Sequence, residues 1–113
     1  MILIAGTVDV DPEQRDRALA TGADLMRETR TQKGCLDYVW SADPAVPGRI
    51  YVFERWESTA DLAAHLAGEY YRQMREHIGS HGLRAADVHK YAIERFEPVY
   101  DETGTARADF FTR

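Results

Sequence analysis

The stretch of this chain best supplied with reactive and ring-bearing side chains runs from Glu54 to His65. Glu54-Arg55-Trp56-Glu57-Ser58 reads as a strand leading into a helix start, and His65 follows within that helix. Alternation puts Glu54 and Trp56 on one strand face with Ile50 and Val52. His65 stands about 60° round the helix from Leu62, at the shoulder of its apolar stripe. An imidazole at that boundary looks into the space between helix and sheet. With an ordinary pKa of about 6.5 it exchanges protons near neutrality. Glu69, one turn on, would orient the ring. The same i,i+4 spacing also fits a plainer arrangement, in which His65 is half exposed and does no more than pair with Glu69. Trp56 suits a core as well as a ligand wall, and Tyr38, Tyr51 and Tyr91 are ordinary strand residues. Arg75 suits the last turn of a helix, and Cys35 reads as a small buried hydrophobe.

Several familiar constellations are missing from the sequence. No G-x-G-x-x-G follows the first strand, and neither a P-loop nor a G-x-S-x-G elbow occurs. His77 and His81 have a spacing that can clip a metal on a helix, but Gly79 and Gly82 interrupt that helix and zinc wants three or four ligands. No metal is expected. The net charge is −5, from 14 Lys and Arg against 19 Asp and Glu, with the two signs interleaved. Nucleic-acid binders gather their cations on one face, so no such partner is expected. The single cysteine cannot close an internal disulfide, which suits a reducing cytoplasm. The apolar start, Met1-Ile2-Leu3-Ile4-Ala5-Gly6, is too short for a signal peptide, and no stretch has the length of a membrane span.

The 113 residues have room for one domain. Residues 2–10 are apolar on both alternating sets, as in a central strand. Asp11-Pro12-Glu13-Gln14 predicts a helix start, with Asp11 as cap and Gln14 reaching back, and the helix runs to about Thr31 before Gly34. Residues 35–42 and 49–57 form a hairpin around Asp43-Pro44-Ala45-Val46-Pro47-Gly48, with Leu36, Tyr38 and Trp40 on one side. Ser58 caps a second helix whose stripe of Leu62, Leu66, Tyr70 and Met74 carries it to about His77. Residues 87–96 make the fourth strand, and residues 99–113 a polar tail containing Phe110-Phe111. The class is α+β: a ferredoxin-like β-α-β-β-α-β unit with an antiparallel sheet. Two helices cover only one face of four strands, so the other face is expected to pair with a second copy, with the Phe110-Phe111 tail reaching across.

Four pieces in this order and spacing resemble the antibiotic biosynthesis monooxygenase family, which includes the small quinol monooxygenases. They are Gly34-Cys35-Leu36-Asp37-Tyr38, Asp43-Pro44, Tyr51-Val52-Phe53-Glu54-Arg55-Trp56-Glu57-Ser58 and Leu62-Ala63-Ala64-His65-Leu66. The resemblance covers residues 2–96 and leaves the tail outside. It implies a homodimeric ferredoxin-like α/β barrel with a cavity in each subunit. It also implies oxygenation of an electron-rich phenol, quinol or anthrone by O2, without flavin, haem or metal. Ground-state O2 is a triplet and takes electrons singly, so the protein's task is to hold a flat substrate, favour its anion and exclude water. On that resemblance His65 is the base or hydrogen-bond partner, Trp56 and Tyr38 wall the ring, Arg75 stabilises the anion and Glu54 positions the substrate. Haem-degrading relatives carry an iron-ligating histidine where this chain has Arg75, which cannot ligate iron. They also carry a tryptophan where it has His65 and an asparagine where it has Gly6 and Thr7. Two other readings stay open: a binding or stress-response dimer without catalysis, and an isomerase-like proton transfer needing no oxygen.

Overall fold

The computed structural model describes residues 1–112; Arg113, the end of the expected tail, lies outside them. Seven elements follow in order: β1 (Ile2–Asp9), α1 (Arg15–Thr29), β2 (Cys35–Ala42), β3 (Arg49–Trp56), α2 (Thr59–Leu66), α3 (Glu69–Gly79) and β4 (Ala85–Ala92). The strands form one antiparallel sheet in the order β2-β3-β1-β4. β1 and β3 take the centre, with β2 and β4 at the edges. This is the ferredoxin-like α+β architecture that the element pattern predicts.

The register sorts the side chains into rows. Lys90, Ile4, Glu54 and Tyr38 lie across the inner face in one row, and Val88, Gly6, Val52 and Trp40 in the next. Val8, Val10, Ile50, Val52, Trp56, Leu62, Met74 and Ile78 are buried beneath the helices and make the core. α1 packs on β2 and α2 on β3, while α3 packs chiefly on α1 and α2, sending Met74 and Ile78 into the shared core. No residue of β4 is buried. The space between α3 and the β1–β4 side of the sheet is therefore left open. No helix among the described residues is long and apolar enough to cross a membrane.

Several expected boundaries move. The second helix is two helices, because Gly68 adopts an extended conformation (φ −97°, ψ 172°) and caps α3. Glycine is costly in a helix interior, and the Glu69 that follows it favours a fresh N-terminus. Ser58 does cap α2, its Oγ accepting from the Asp61 N–H at 3.1 Å. α1 starts at Arg15 rather than beside Asp11. Asp11 instead closes a preceding turn: its Oδ1 accepts from Glu13 N–H at 2.9 Å and its Oδ2 from the Gln14 side-chain amide at 3.2 Å. Leu36 does not share a side with Tyr38 and Trp40. A bulge between Cys35 and Asp37 makes it the extra residue and leaves it exposed, while Cys35 pairs with Trp56. β4 lies at residues 85–92 rather than 87–96.

The tail is folded rather than trailing. Tyr100 bridges to Ala106, and the Glu97 carboxylate accepts from the Phe111 and Thr112 N–H groups at 2.8 and 3.0 Å. Arg95 lies 5.2 Å from the centre of the Phe110 ring.

Gly6 permits the tight pairing of β1 with β4. A Cβ there would collide with the Asp87 carbonyl and lie 2.6 Å from Val88 Cα. Gly6→Ala is expected to cost about 1–3 kcal/mol, as overpacking does. β4 amides should lose hydrogen-exchange protection before those of β2 and β3. An unchanged denaturation midpoint would show that the strands are not held this close.

Candidate active site

Glu54 and Trp56 emerge on the same face of β3, and the indole Nε1–H donates to Glu54 Oε1 at 3.0 Å. His65, in the last turn of α2, stacks on Trp56 with ring centres 4.5 Å apart and planes 29° apart. Tyr38 and Tyr71 meet the imidazole edge-on, each at 5.7 Å. The cluster thus joins β2, β3, α2 and α3 around one ring. His65 is only 2% exposed and Glu54 7%.

The half-exposed His65 paired with Glu69 is not what forms. Glu69 binds Arg72 and Gln73 instead. His65 turns inward, and its Nδ1 lies 2.7 Å from Gln32 Oε1. The amide oxygen accepts, so Nδ1 carries the hydrogen and Nε2 keeps its lone pair. Among the described residues Nε2 has no hydrogen-bond partner.

Burial sets the protonation states. Desolvation raises Glu54 from the ordinary 4.5 to about 7, against the opposing pull of the Trp56 N–H. Desolvation lowers His65 from 6.5 to about 4. At neutral pH the imidazole is uncharged and the carboxyl is near half ionised. Tyr38 is pushed well above the usual phenol range, by burial first and then by the Glu54 charge, and stays protonated.

Over this cluster opens a cavity of about 670 Å³ between α3 and the inner sheet face. Its walls include Ile4, Val52, Trp40, Tyr71, Met74 and Val88, with Glu54 and His65 in the floor. Of the residues expected at a site, His65, Glu54 and Tyr38 reach the cavity. Arg75 lines it too, but as an exposed residue at the mouth, apart from the buried cluster. Trp56, expected to wall a ligand ring, is fully buried and backs Glu54 and His65 instead.

Gln32, Trp40, Tyr71 and Lys90 also stand at this site, and no sequence signal marks them for it. Gln32 is 33 positions from His65, and no local pattern joins them. Tyr71 comes into reach because the break at Gly68 resets the phase of the helix. The Trp40 Nε1–H is buried without a partner among the described residues, beside the cavity its ring lines. His77 and His81 serve packing: His77 Nε2 lies 2.9 Å from Ala18 O and 3.0 Å from Thr21 Oγ1, and His81 Nδ1 lies 2.7 Å from His77 O. Among the described residues, no three His, Cys, Asp or Glu side chains gather as a metal site would need.

The chain is thus an α+β protein of ferredoxin-like fold, with an apolar chamber over a buried carboxyl and imidazole. The family profile for antibiotic biosynthesis monooxygenase matches residues 1–77, and the chain belongs to that family. Solved structures with this fold include a protein of Deinococcus radiodurans assigned to the antibiotic biosynthesis monooxygenases. It has a TM-score of 0.79 and 21% identity over 89% of this chain and 100% of that one. Rv0793 of Mycobacterium tuberculosis has a TM-score of 0.72 and 23% identity over 86% of this chain and 98% of that one. The curated relative sll1783 of Synechocystis, itself uncharacterised, is 24% identical over 92 residues, or 81% of this chain. The chain spans 63% of that relative's length.

The two displaced groups make stability depend on pH from both sides. Glu54 holds its proton more tightly folded than unfolded, so stability falls as pH rises from 4.5 towards 7. His65 binds its proton less tightly folded, so stability also falls as pH drops from 6.5 towards 4. Between pH 4.5 and 6.5 the two contributions run in opposite directions and cancel, so the wild type should vary by less than about 1 kcal/mol, with a broad maximum near pH 5–6. Single variants uncover each limb: in urea titrations Glu54→Gln should gain about 3 kcal/mol from pH 4 to 6.5, and His65→Gln should lose about as much from pH 4.5 to 7. Single variants whose midpoints do not change across this range would contradict the buried cluster.

Proposed function

We propose that this protein is a cofactor-independent monooxygenase that oxidises an electron-rich phenol, quinol or anthrone-type aromatic with O2. The observation that supports this reading most is an apolar chamber whose floor carries a carboxyl group with its pKa raised to about 7. A general base is most useful with its pKa near the working pH, because it is then both available and strong enough. His65, lowered to about 4, is too weak a base for the part first expected of it. Glu54 takes that role. His65 Nε2 serves as a neutral acceptor that orients the substrate hydroxyl, with Gln32 holding its tautomer.

In the proposed reaction the Glu54 carboxylate removes a proton from the substrate. The resulting anion passes one electron to O2, and the radical pair joins to a peroxide. Loss of water from that peroxide leaves a carbonyl. One oxygen atom enters the product and the other leaves as water, so a CH2 becomes C=O at the expense of one O2. The ring is held among Tyr38, Trp40 and Tyr71, which also keep water from the anion.

We also assign the working form as a cytoplasmic homodimer. The outer sheet face carries Leu3, Ala5, Val39, Tyr51 and Phe53 across neighbouring strands, and Tyr51 and Phe53 are exposed. Ion pairs border this apolar centre at both ends: Asp37 with Arg55, and Asp9 with Arg49. An apolar centre with a charged border is the pattern of a protein interface, and a two-fold axis would bury each Phe53 against its symmetry mate's face.

Glu54→Gln should lower kcat by about 100-fold or more, measured as O2 uptake above autoxidation with a model anthrone and unaffected by chelator. For the wild type and His65→Gln, kcat/KM should rise with pH through about 7, the ionisation of Glu54. Glu54→Gln turning over at the wild-type rate with the same pH limb would exclude it as base. For the dimer, sedimentation at micromolar concentration should give twice the chain mass and Phe53→Glu should give the single mass. A monomeric wild type would remove the second copy from the reading.

A further inference from the structure

The cavity carries a charge pattern that the chemistry at Glu54 does not use. Glu54 is the one acidic residue among the described residues lining it. Two cations face it: Arg75 from α3 and Lys90 from β4. Neither makes an ion pair or a side-chain hydrogen bond among the described residues, whereas Arg49, Arg55 and Arg72 are all paired with carboxylates. His89 also borders the cavity, but its ring turns to Asp87, with Nε2 at 2.7 Å from the carboxylate. A chain with a net charge of −5 thus presents two unengaged positive groups at the mouth of an apolar chamber.

The sheet register supplies a length. Lys90, Ile4 and Glu54 stand side by side in one row, so Lys90 is two strand spacings, about 10 Å, from Glu54. A flat skeleton of two or three fused rings spans that gap. With one hydroxyl over Glu54 and His65, its far edge lies between Lys90 and Arg75. An anionic substituent at that edge meets a guanidinium able to grip it with two parallel N–H groups, and an ammonium on the opposite wall. The same substituent close to Glu54 would oppose ionisation of the base, so the polarity of binding is fixed.

Resting on the reading of the chamber as the substrate site, we propose that the substrate is a fused-ring phenol bearing a carboxylate or equivalent anion remote from the reacting hydroxyl. Arg75 and Lys90 hold that anion at the mouth.

Two fluorescent probes with the same aromatic skeleton test this without catalysis: 8-anilinonaphthalene-1-sulfonate and the uncharged N-phenyl-1-naphthylamine. Titrated into the full chain at low salt, the sulfonate should bind about 10-fold more tightly, the sum of two partly exposed ion pairs. That advantage should shrink as salt is raised. The double variant Arg75→Gln, Lys90→Gln should abolish it while leaving the affinity for the neutral probe unchanged. Arg17→Gln, an exposed cation on α1 away from the cavity, should alter neither affinity. Equal binding of both probes to the wild type, or a preference that survives the double variant, overturns this inference and leaves the chamber reading standing. Failure of the neutral probe to bind removes the chamber as an aromatic site, and the proposed function falls with it.

Discussion

A carboxyl group that must lie in a row of sheet between Ile4 and Tyr38, beneath an imidazole, has lost most of the water that would stabilise its charge. Only the Trp56 N–H compensates among the described residues, and one neutral donor is too little to hold an anion at its ordinary pKa. The same desolvation acts on His65 in the opposite sense, so both groups are driven towards their uncharged forms. In water a glutamate and a histidine near neutrality would tend to an ion pair. Here neither group's displacement owes anything to the charge of the other. Burial therefore separates the roles: a carboxyl poised to give up or take a proton, and a ring that stays a neutral hydrogen-bonding partner.

Keeping that burial while leaving an entrance is a problem of helix placement. α2 must press His65 onto Trp56, which closes the β3 side of the site. A helix continuing straight from α2 would keep Leu66 and Tyr70 on its inner stripe. The extended Gly68 ends it, and α3 leaves at a new phase that brings Tyr71 to His65 and Arg75 to the cavity. α3 then finds its packing on α1, where His77 Nε2 lies 2.9 Å from the Ala18 carbonyl oxygen. β4 is left without a helix over it, and the open chamber follows.

The order of elements was legible because it rests on short-range signals. Ser58 before Asp61, Gly34 after the first helix, and alternation in β3 each read correctly. The pairing of Glu54 with Trp56 on one face follows from the period of a strand, and the structure keeps it. What escaped depends on tertiary contact. Gln32 meets His65 only once the turn after α1 is folded against α2. The helix shoulder on which His65 sits is compatible with exposure or burial, and packing against Trp56 and Tyr38 decides between them. Leu36 left its expected face because a bulge is a backbone event with no side-chain period. Lys90 reads as an ordinary strand cation until the pairing of β4 beside β1 sets it in the row of Glu54.

The two faces of the sheet solve different electrostatic problems with the same alternation. On the outer face cations and carboxylates are paired in place, Asp9 with Arg49 and Asp37 with Arg55, and the centre between them is apolar. On the inner face Lys90 is left without a carboxylate although Glu54 stands in its row. A substrate filling the chamber would strip the remaining water from Glu54 and push its pKa further up, working against the ionised form that the proposed reaction needs. In the proposed reaction a cation across the row works the other way: it favours an anion in the chamber without hydrating it. In the proposed reaction the row therefore divides the work: burial and the Trp56 N–H set Glu54, and the cations at the far end meet the substrate's anion.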